Sequence, residues 1–438
     1  MFPTDLVARL KCPYTGSPFE LEMGDGHAIE YGVLRSQGGR FPIISGVLRL
    51  LIDELRAPLV DLITKGHEQD ALRGALEVPV VMRRGVMLDR LWSGITQRLP
   101  LDAAVRTGTP GKRRLYKRIT RSHATFRELA AEVDSGAWAK WQTLRFSMPT
   151  FLPVYALAHM ARGRRTILDF GCGLGHSAFL MKRLSRDAQV ICADYSFTSM
   201  YLARRYIAVD AACICLDGDY PLPFAAHYFD CIFSTDALQY IEAKIGLARE
   251  FERILSSDGV ITLAHLHNRL SPVVAGSALT ASGYHGLFEG MQRRLYPEDT
   301  IVSDYVASGT LNLGRQCTPQ ELNQALNGLS LVAARTDAIF TSRAGLLDAY
   351  IEAMRHPELN PAYEITQEAG ALTLKRGIGA LYAVERTIET CKILPLHARV
   401  QLPSPGSADI LARREADRDG LRELVRRFLV LETPDLYW

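Results

Sequence analysis

Between Thr166 and Asp194 the apolar positions change period in the order strand, turn, helix, strand. Thr166 to Phe170 is a short apolar run of the kind a buried parallel strand shows, and Gly171, Gly173 and Gly175 follow at alternate positions. Ala178, Leu180, Met181 and Leu184 then fall at helical spacing, and Val190 to Ala193 is a second apolar run that ends in an acid, Asp194. Upstream, Ala28 to Arg35 and Val47 to Leu51 read as strands punctuated by Gly38-Gly39 and Ser45-Gly46, so residues 1–51 form a small β-rich segment. Residues 52–160 read as mostly helical, with Leu55, Leu59, Leu62 and Ile63 on one face and Leu88, Leu91, Trp92 and Ile95 on another. Near the end, Ser407 to Leu431 has an amphipathic pattern with Ile410, Leu411, Leu421, Leu424, Val425 and Phe428 inward, packing on the body of the protein or on a second copy.

The glycine turn carries the first candidate chemistry. Glycines at alternate positions let a ligand approach the backbone, and the following helix presents its N-terminus to that ligand. Asp194 ends the next strand, where ribose hydroxyls would lie. His176 stands where a dinucleotide fingerprint would carry its third glycine, which argues against NAD.

The run Ile167-Leu-Asp-Phe-Gly-Cys-Gly-Leu-Gly175 closely resembles the first motif of the class I S-adenosylmethionine-dependent methyltransferases, and Cys192-Ala-Asp-Tyr-Ser196 resembles their second. Leu216-Asp-Gly-Asp-Tyr-Pro-Leu-Pro-Phe224 looks like the family's adenine-binding loop, Tyr228 to Tyr240 its fourth strand and following helix, and Arg249 to Leu263 the helix, turn and fifth strand that come next. The resemblance implies a Rossmann-like α/β fold, a seven-stranded sheet with helices on both faces, over about residues 150–340, with S-adenosylmethionine as cofactor. It also implies roles. Asp169 would meet the methionine ammonium, Gly171 and Gly173 would flank the amino-acid portion, and Asp194 would hold the ribose. Asp219 would accept from the adenine amino group, Tyr195 and Tyr220 would pack on the ring, and Ser234 would face the cofactor from the end of the fourth strand. Leu329 to Ala334 would be the sixth strand, with the seventh at Ala338 to Thr341 or Gly377 to Val384.

Composition narrows the function classes. The 438 residues suffice for two or three domains, and 51 Lys and Arg against 48 Asp and Glu give a formal charge of +3, so no polyanionic partner is indicated for the whole molecule. Lys112 to Arg121 is a local exception with six basic residues, read as a solvated helix face before a nucleic-acid patch. Five of eight cysteines fall in or beside predicted strands and no Cys-x-x-Cys pair occurs, which favours reduced thiols and a cytoplasmic location. The opening residues lack the features of a signal peptide and no stretch reads as a membrane span.

Cys12-Pro13, Gly32-Val-Leu34 and Arg40 to Val47 resemble the small zinc-ribbon-like activator subunits that partner certain methyltransferases. A structural zinc site needs four Cys or His ligands, whereas Thr15 and Ser36 stand near positions where thiols would be needed, so a metal-free relic is expected. Trp138, Trp141, Phe146 and Phe151 are candidates for an apolar cover over the cofactor or for ordinary helix packing.

The chain therefore divides into a degenerate ribbon (1–51), a helical linker and cover (52–160), a methyltransferase core (161–345) with an insertion (269–316), and a helical C-terminal extension (346–438). Gly276, Gly283, Gly286 and Gly290 would hinge the insertion as a lid, and Tyr284, His285, Phe288 and Met291 would line it. For proton removal, strand alternation puts His265 and His267 on one face at the sheet's carboxyl edge, His267 the better placed, with Tyr240 and His285 behind. The His-x-His pair finds no third metal ligand in the sequence, and no metal is expected. The leading expectation is methyl transfer to an O, N or C nucleophile of a small molecule in bacterial natural-product chemistry. The alternatives are a tRNA or protein acceptor, and a non-catalytic cofactor-binding module.

Overall fold

The computed structural model describes residues 1–76, 110–120, 124–133, 137–272, 274–368, 371–377, 395–402 and 404–438. Eleven strands form one sheet. They are β1 (Glu20–Met23), β2 (Gly32–Ser36), β3 (Gly39–Ile44), β4 (Val47–Arg49), β5 (Thr166–Phe170), β6 (Gln189–Asp194), β7 (Ala212–Cys215), β8 (Phe229–Thr235), β9 (Leu255–Leu266), β10 (Gln292–Pro297) and β11 (Leu329–Ala334). Their spatial order is β10-β11-β9-β8-β5-β6-β7-β4-β3-β2-β1. The strands from β9 through β8, β5, β6 and β7 to β4 run parallel, while β11 is antiparallel to both β9 and β10.

The alternation of side chains along each strand builds two cores. Ile167, Val190 and Cys192 point into one, and Leu168, Ile191 and Ala193 into the other. Both faces are covered, as a parallel sheet requires. The chain runs from β5 outward through β6 to β7, then returns to place β8 on the other side of β5. That reversal leaves a crevice at the carboxyl ends of β5 and β8, where open α/β sheets bind ligands.

The structure corrects four expectations. The ribbon is not a separate unit: β4 pairs with β7 in the register Val47 to Cys213, Leu48 to Ile214 and Arg49 to Cys215. Val33 and Val47 enter one core of the sheet while Leu34 and Leu48 enter the other. Pairing with β4 also satisfies the backbone groups that β7 would otherwise expose as an open edge. Second, the sixth core strand is β10, inside the predicted lid, and Leu329–Ala334 is the seventh. Arg293 and Arg294 interrupt the apolar pattern of β10 because it is an edge strand, so its sequence does not read as a buried one. Residues 338–341 instead contain a short 3-10 turn, Asp337–Ile339, and residues 378–384 lie outside the described residues.

Third, the rest of the insertion packs as structure. Tyr284, Phe288 and Met291 are buried in the core, and the Tyr284 hydroxyl donates to the His267 carbonyl at 2.9 Å. Fourth, the C-terminal extension mixes helix and strand. Strands Tyr363–Glu368, Ala371–Arg376 and His397–Val400 form a sheet of their own, and the terminal amphipathic stretch splits into helices Ser407–Ala416 and Arg418–Arg426. Asp417 separates them, its carboxylate accepting from the Gly420 N–H at 3.0 Å to cap the second. Leu421, Leu424 and Val425 pack inside this chain.

The linker contains helices Arg56–Thr64, Glu68–Ala75, Pro110–Ile119, Phe126–Val133 and Ala137–Leu144. In the basic segment, Leu115 and Ile119 are buried and the Tyr116 hydroxyl donates to Gln69, which gives that helix an inward apolar stripe and leaves Arg114 and Lys117 outward. The set Leu88, Leu91, Trp92 and Ile95 lies outside the described residues, as do the surroundings of the Trp138 side chain. Among the described residues no helix is long and apolar enough to cross a membrane.

Candidate active site

A cavity of about 340 Å³ opens at the crevice between β5 and β8. Its floor is the turn after β5. Gly171 has φ +62°, and a Cβ there would lie 2.3 Å from the Cβ of Ala237 on the loop after β8. Gly173, at φ +55°, has open space where a Cβ would stand, so its backbone faces the cavity bare. The helix His176–Leu184 starts directly after this turn.

Asp194 closes the turn from the side. Its Oδ2 accepts from the Gly173 N–H at 2.9 Å and its Oδ1 from the Ser196 N–H at 2.9 Å, which leaves each oxygen a further lone pair. Burial pushes its carboxyl up, and the amides of Ser196, Gly173 and Tyr195 work against that rise. Asp169, on β5, is completely buried and neither carboxylate oxygen has a hydrogen-bond partner. Burial pushes its carboxyl up to about 8; the Ala178 N–H at the helix start, although it completes no hydrogen bond to the carboxylate, offsets this in part and the Asp194 charge adds to it. A carboxylate oxygen of Asp169 lies within 4.8 Å of the Sγ of Cys172, which lines the cavity. Such an acid calls for a cationic partner, and the ammonium of an amino-acid moiety above the turn would supply it.

Of the expected cofactor residues, Gly171, Gly173, Asp194 and Tyr195 line the cavity and Asp169 lies beside it. Ser234 is buried one position short, and Thr235, Asp236 and Ala237 take its place. Asp219 and Tyr220 are not on the cavity wall, where the same loop contributes Leu216 and Gly218. Asp219 Oδ1 instead accepts from the N–H groups of Glu242 and Ala243 at 2.9 and 2.7 Å, fixing the entry to helix Lys244–Ile254, and Tyr220 meets Tyr14 edge to face at 5.1 Å. Within Asp-Gly-Asp the turn is closed by the Asp219 N–H donating to Asp217 Oδ1 at 3.0 Å, and the Asp219 carboxylate is spent on the distant backbone of residues 242 and 243.

The catalytic candidates converge behind Asp236. The Nε2 of His267 is 3.4 Å from Asp236 Oδ1, and one ligating atom each from Asp236, His265 and His267 lies within 4.8 Å of the others. Asp236 is thus the third polar group that the His-x-His motif lacked in sequence. The ring Nδ1 of His267 accepts the Ala275 N–H at 3.0 Å, so Nε2 holds the proton and directs it at Asp236. A metal would need that same Nε2 lone pair, and the hydrogen bonding describes a proton-filled network in its place.

His265 departs from strand alternation. Its φ is +54° and the pairing of β9 with β11 shifts between Leu263 and Leu266. Its N–H and Nδ1 both meet the Glu298 carboxylate, at 2.5 and 2.9 Å. Burial works against its charge, but the Glu298 carboxylate outweighs burial and holds the imidazole above the usual histidine range. For Asp236, burial is likewise outweighed by the His267 hydrogen bond and by the charges of His265 and Arg145, leaving its carboxyl at about 2. Neither His265 nor His267 borders the cavity; Asp236 and the largely exposed Tyr240 do.

Several wall residues were invisible or only half visible in the sequence. Trp141 and Phe151, candidates for an apolar cover, line the cavity, whereas Phe146 is buried against His176 and Phe179. Arg145 lines it between them, and nothing in its local pattern marks it. His176 borders the cavity, and its Nε2 lies 3.0 Å from the hydroxyl of Tyr437, a contact across 261 positions. Burial, helped by the Arg145 charge and opposed by the Gln142 carbonyl, lowers His176 to about 3, so it is neutral.

Residues 168–263 match the methyltransferase domain family. The malonyl-[acyl-carrier protein] O-methyltransferase of Laribacter hongkongensis is 30% identical over 110 residues, 23% of this chain and 37% of that protein. The enzyme of the same name from Halorhodospira halophila is 29% identical over 102 residues, 23% of this chain and 34% of that protein. The chain thus spans little more than a third of the curated relatives it matches. Among solved structures, a chain from the complex formed by the Haloferax volcanii Trm112 methyltransferase activator is 16% identical, with 49% of this chain and 99% of that chain covered at a TM-score of 0.35. The ordered motifs, the reversal of strand order at β5 and β8 and the family match agree: this chain contains a class I S-adenosylmethionine-dependent methyltransferase domain.

Proposed function

We propose that the protein uses this cleft to transfer a methyl group from S-adenosylmethionine to a small-molecule acceptor. The observation that carries the reading is Asp169, a completely buried acid with two unpartnered oxygens beside a bare glycine turn. Asp169 would hold the cofactor's ammonium, Gly173 its amino-acid backbone and Asp194 its ribose hydroxyls. When bound, the cofactor supplies an electrophilic methyl group on a sulfonium. The chain's own contribution is to orient the acceptor, exclude water and manage charge at the carboxyl end of β8.

The hydrogen bonding around that end favours an acceptor that needs little deprotonation. His267 has no free ring lone pair, Asp236 is too acidic to act as a base, and His265, held by Glu298 through Nδ1, lies off the cavity wall. An acceptor that is already anionic, or one whose proton passes to water, suits these groups, and catalysis then rests on proximity. This replaces His267 as proton acceptor with His267 as a positioning residue for Asp236. The cavity, about 340 Å³, suits a compact group at the reacting end.

Calorimetric titration with S-adenosylhomocysteine tests the reading. One site per chain is expected, with Asp169→Asn weakening it by about ten- to a hundredfold. Absence of binding to the wild-type protein refutes the assignment of the cleft.

A further inference from the structure

Among the described residues Arg145 is the one Lys or Arg on the cavity wall, and its surroundings leave it unfinished. The residue is 5% exposed, and its Nη1 is buried with no hydrogen-bond partner. The guanidinium carbon lies 4.6 Å from the ring centre of Trp141 and 4.9 Å from that of Phe151. Aromatic faces stabilise the charge but accept no in-plane hydrogen bond. Its nearest acid is Asp236, whose Oδ2 stands 3.9 Å from the Arg145 Nη2, beyond hydrogen-bonding distance, while the other oxygen, Oδ1, is turned to the Gln239 amide at 2.7 Å and to His267. A buried cation with an unmet donor is destabilising unless a further group completes the contact.

We propose that Arg145 is a carboxylate-binding residue of the cleft, its planar fork receiving a ligand carboxylate between Trp141 and Phe151. This rests on the cleft being the methyl-transfer site. The fork matches a carboxylate in two parallel hydrogen bonds, a fit that lysine lacks. The amino-acid end of the cofactor is one source of such a group and a carboxylic-acid acceptor is the other. In the second case the transfer is balanced simply: a carboxylate oxygen forms the new bond to carbon, the methyl–sulfur bond breaks with its electron pair going to sulfur, and an ester and a thioether result with no proton to remove.

Two ligands separate the sources. S-adenosylhomocysteine carries the carboxylate and 5′-methylthioadenosine lacks it, so both are titrated into wild type, Arg145→Gln and Arg145→Lys, with thermal melts confirming that each variant is folded. If Arg145 holds the cofactor, the variants lose about ten- to a hundredfold in affinity for the first ligand and keep the second unchanged. If it holds the acceptor, both adenosine ligands bind normally, and malonyl-N-acetylcysteamine binds the protein loaded with S-adenosylhomocysteine in wild type but not in Arg145→Gln. Equal loss of both adenosine ligands, or no dependence of any of the three ligands on Arg145, overturns the proposal. Failure of wild type to bind either adenosine ligand refutes the underlying reading of the cleft instead. Should Arg145→Gln fail to fold, Arg145→Lys carries the comparison, since it keeps the charge and loses the fork.

Discussion

The Nε2 of His267 faces Asp236 Oδ1 at 3.4 Å while its Nδ1 is occupied by the Ala275 N–H at 3.0 Å. A histidine held from both sides is an orienting group. His267→Gln, which keeps a donor toward Asp236, is therefore expected to retain most of the turnover. His267→Ala should lower it through misplacement of Asp236, by the equivalent of about 1.5–3 kcal/mol for a hydrogen bond to a charged group. Equal and complete loss in both variants, with an acidic limb removed from the pH profile, would restore His267 as a proton acceptor.

Asp169 makes cofactor binding pH-dependent. Its carboxyl is pushed up to about 8, because burial opposes the charge and the Asp194 carboxylate adds to that opposition. An ammonium beside it favours the ionised form, so binding should release close to one proton below about pH 8 and tighten as pH rises toward that value. Calorimetry in buffers of different ionisation enthalpy measures the release, and Asp169→Asn should abolish it. The same group affects stability with the opposite slope. Between the ordinary carboxylate range and about 8 the folded protein holds a proton that the unfolded chain has lost, so this group's contribution to stability falls as pH rises.

Asp194 joins the cofactor turn to the ribose position, and its loss should act on both. Asp194→Ala removes the acceptor of the Gly173 and Ser196 N–H groups, and cofactor affinity is expected to fall by about ten- to a hundredfold, or roughly 1.4–2.8 kcal/mol. Calorimetric titration decides it, and unchanged affinity would show that the ribose is held elsewhere.

Leu48 reports on the union of the N-terminal strands with the core. It is fully buried, pairs with Ile214 and enters the same core as Ile191. Leu48→Ala should cost about 2–5 kcal/mol. Because the sheet is continuous from β1 to β10, unfolding monitored at the N-terminal strands and at the core should shift together. An N-terminal transition that moves alone would show that the segment is an independent unit.

Cys12 tests the ribbon resemblance. Gly38 approaches so closely that a Cβ there would lie 2.5 Å from the Cys12 sulfur. Burial raises the thiol, but hydrogen bonds from Ser36 and Thr15 and from nearby amides outweigh it and hold Cys12 below the usual thiol range. Hydroxyls thus stand around Cys12 where the resemblance would require further thiol ligands. Elemental analysis of purified protein should find no stoichiometric zinc, and one zinc per chain lost in Cys12→Ser would contradict the reading.

The local sequence determined what is held by near neighbours along the chain. The strand, glycine turn and helix from Thr166 to Leu184 were legible because a buried strand needs continuous apolar residues and a turn at positive φ needs glycine. Asp169 and Asp194 were legible for the same reason, since both sit on those strands. Tertiary structure decided everything that depends on side chains meeting across long separations. Asp236 becomes the centre of a polar network only when β8 and β9 lie side by side, and Arg145 becomes a cleft residue only when its segment folds over β5. Strand β10 was missed because an edge position relaxes the demand for apolar residues, and β11 took its place in the reading. His267 lies one residue past the end of β9, and its contacts turned on the Ala275 N–H, a backbone donor whose direction no side-chain pattern encodes.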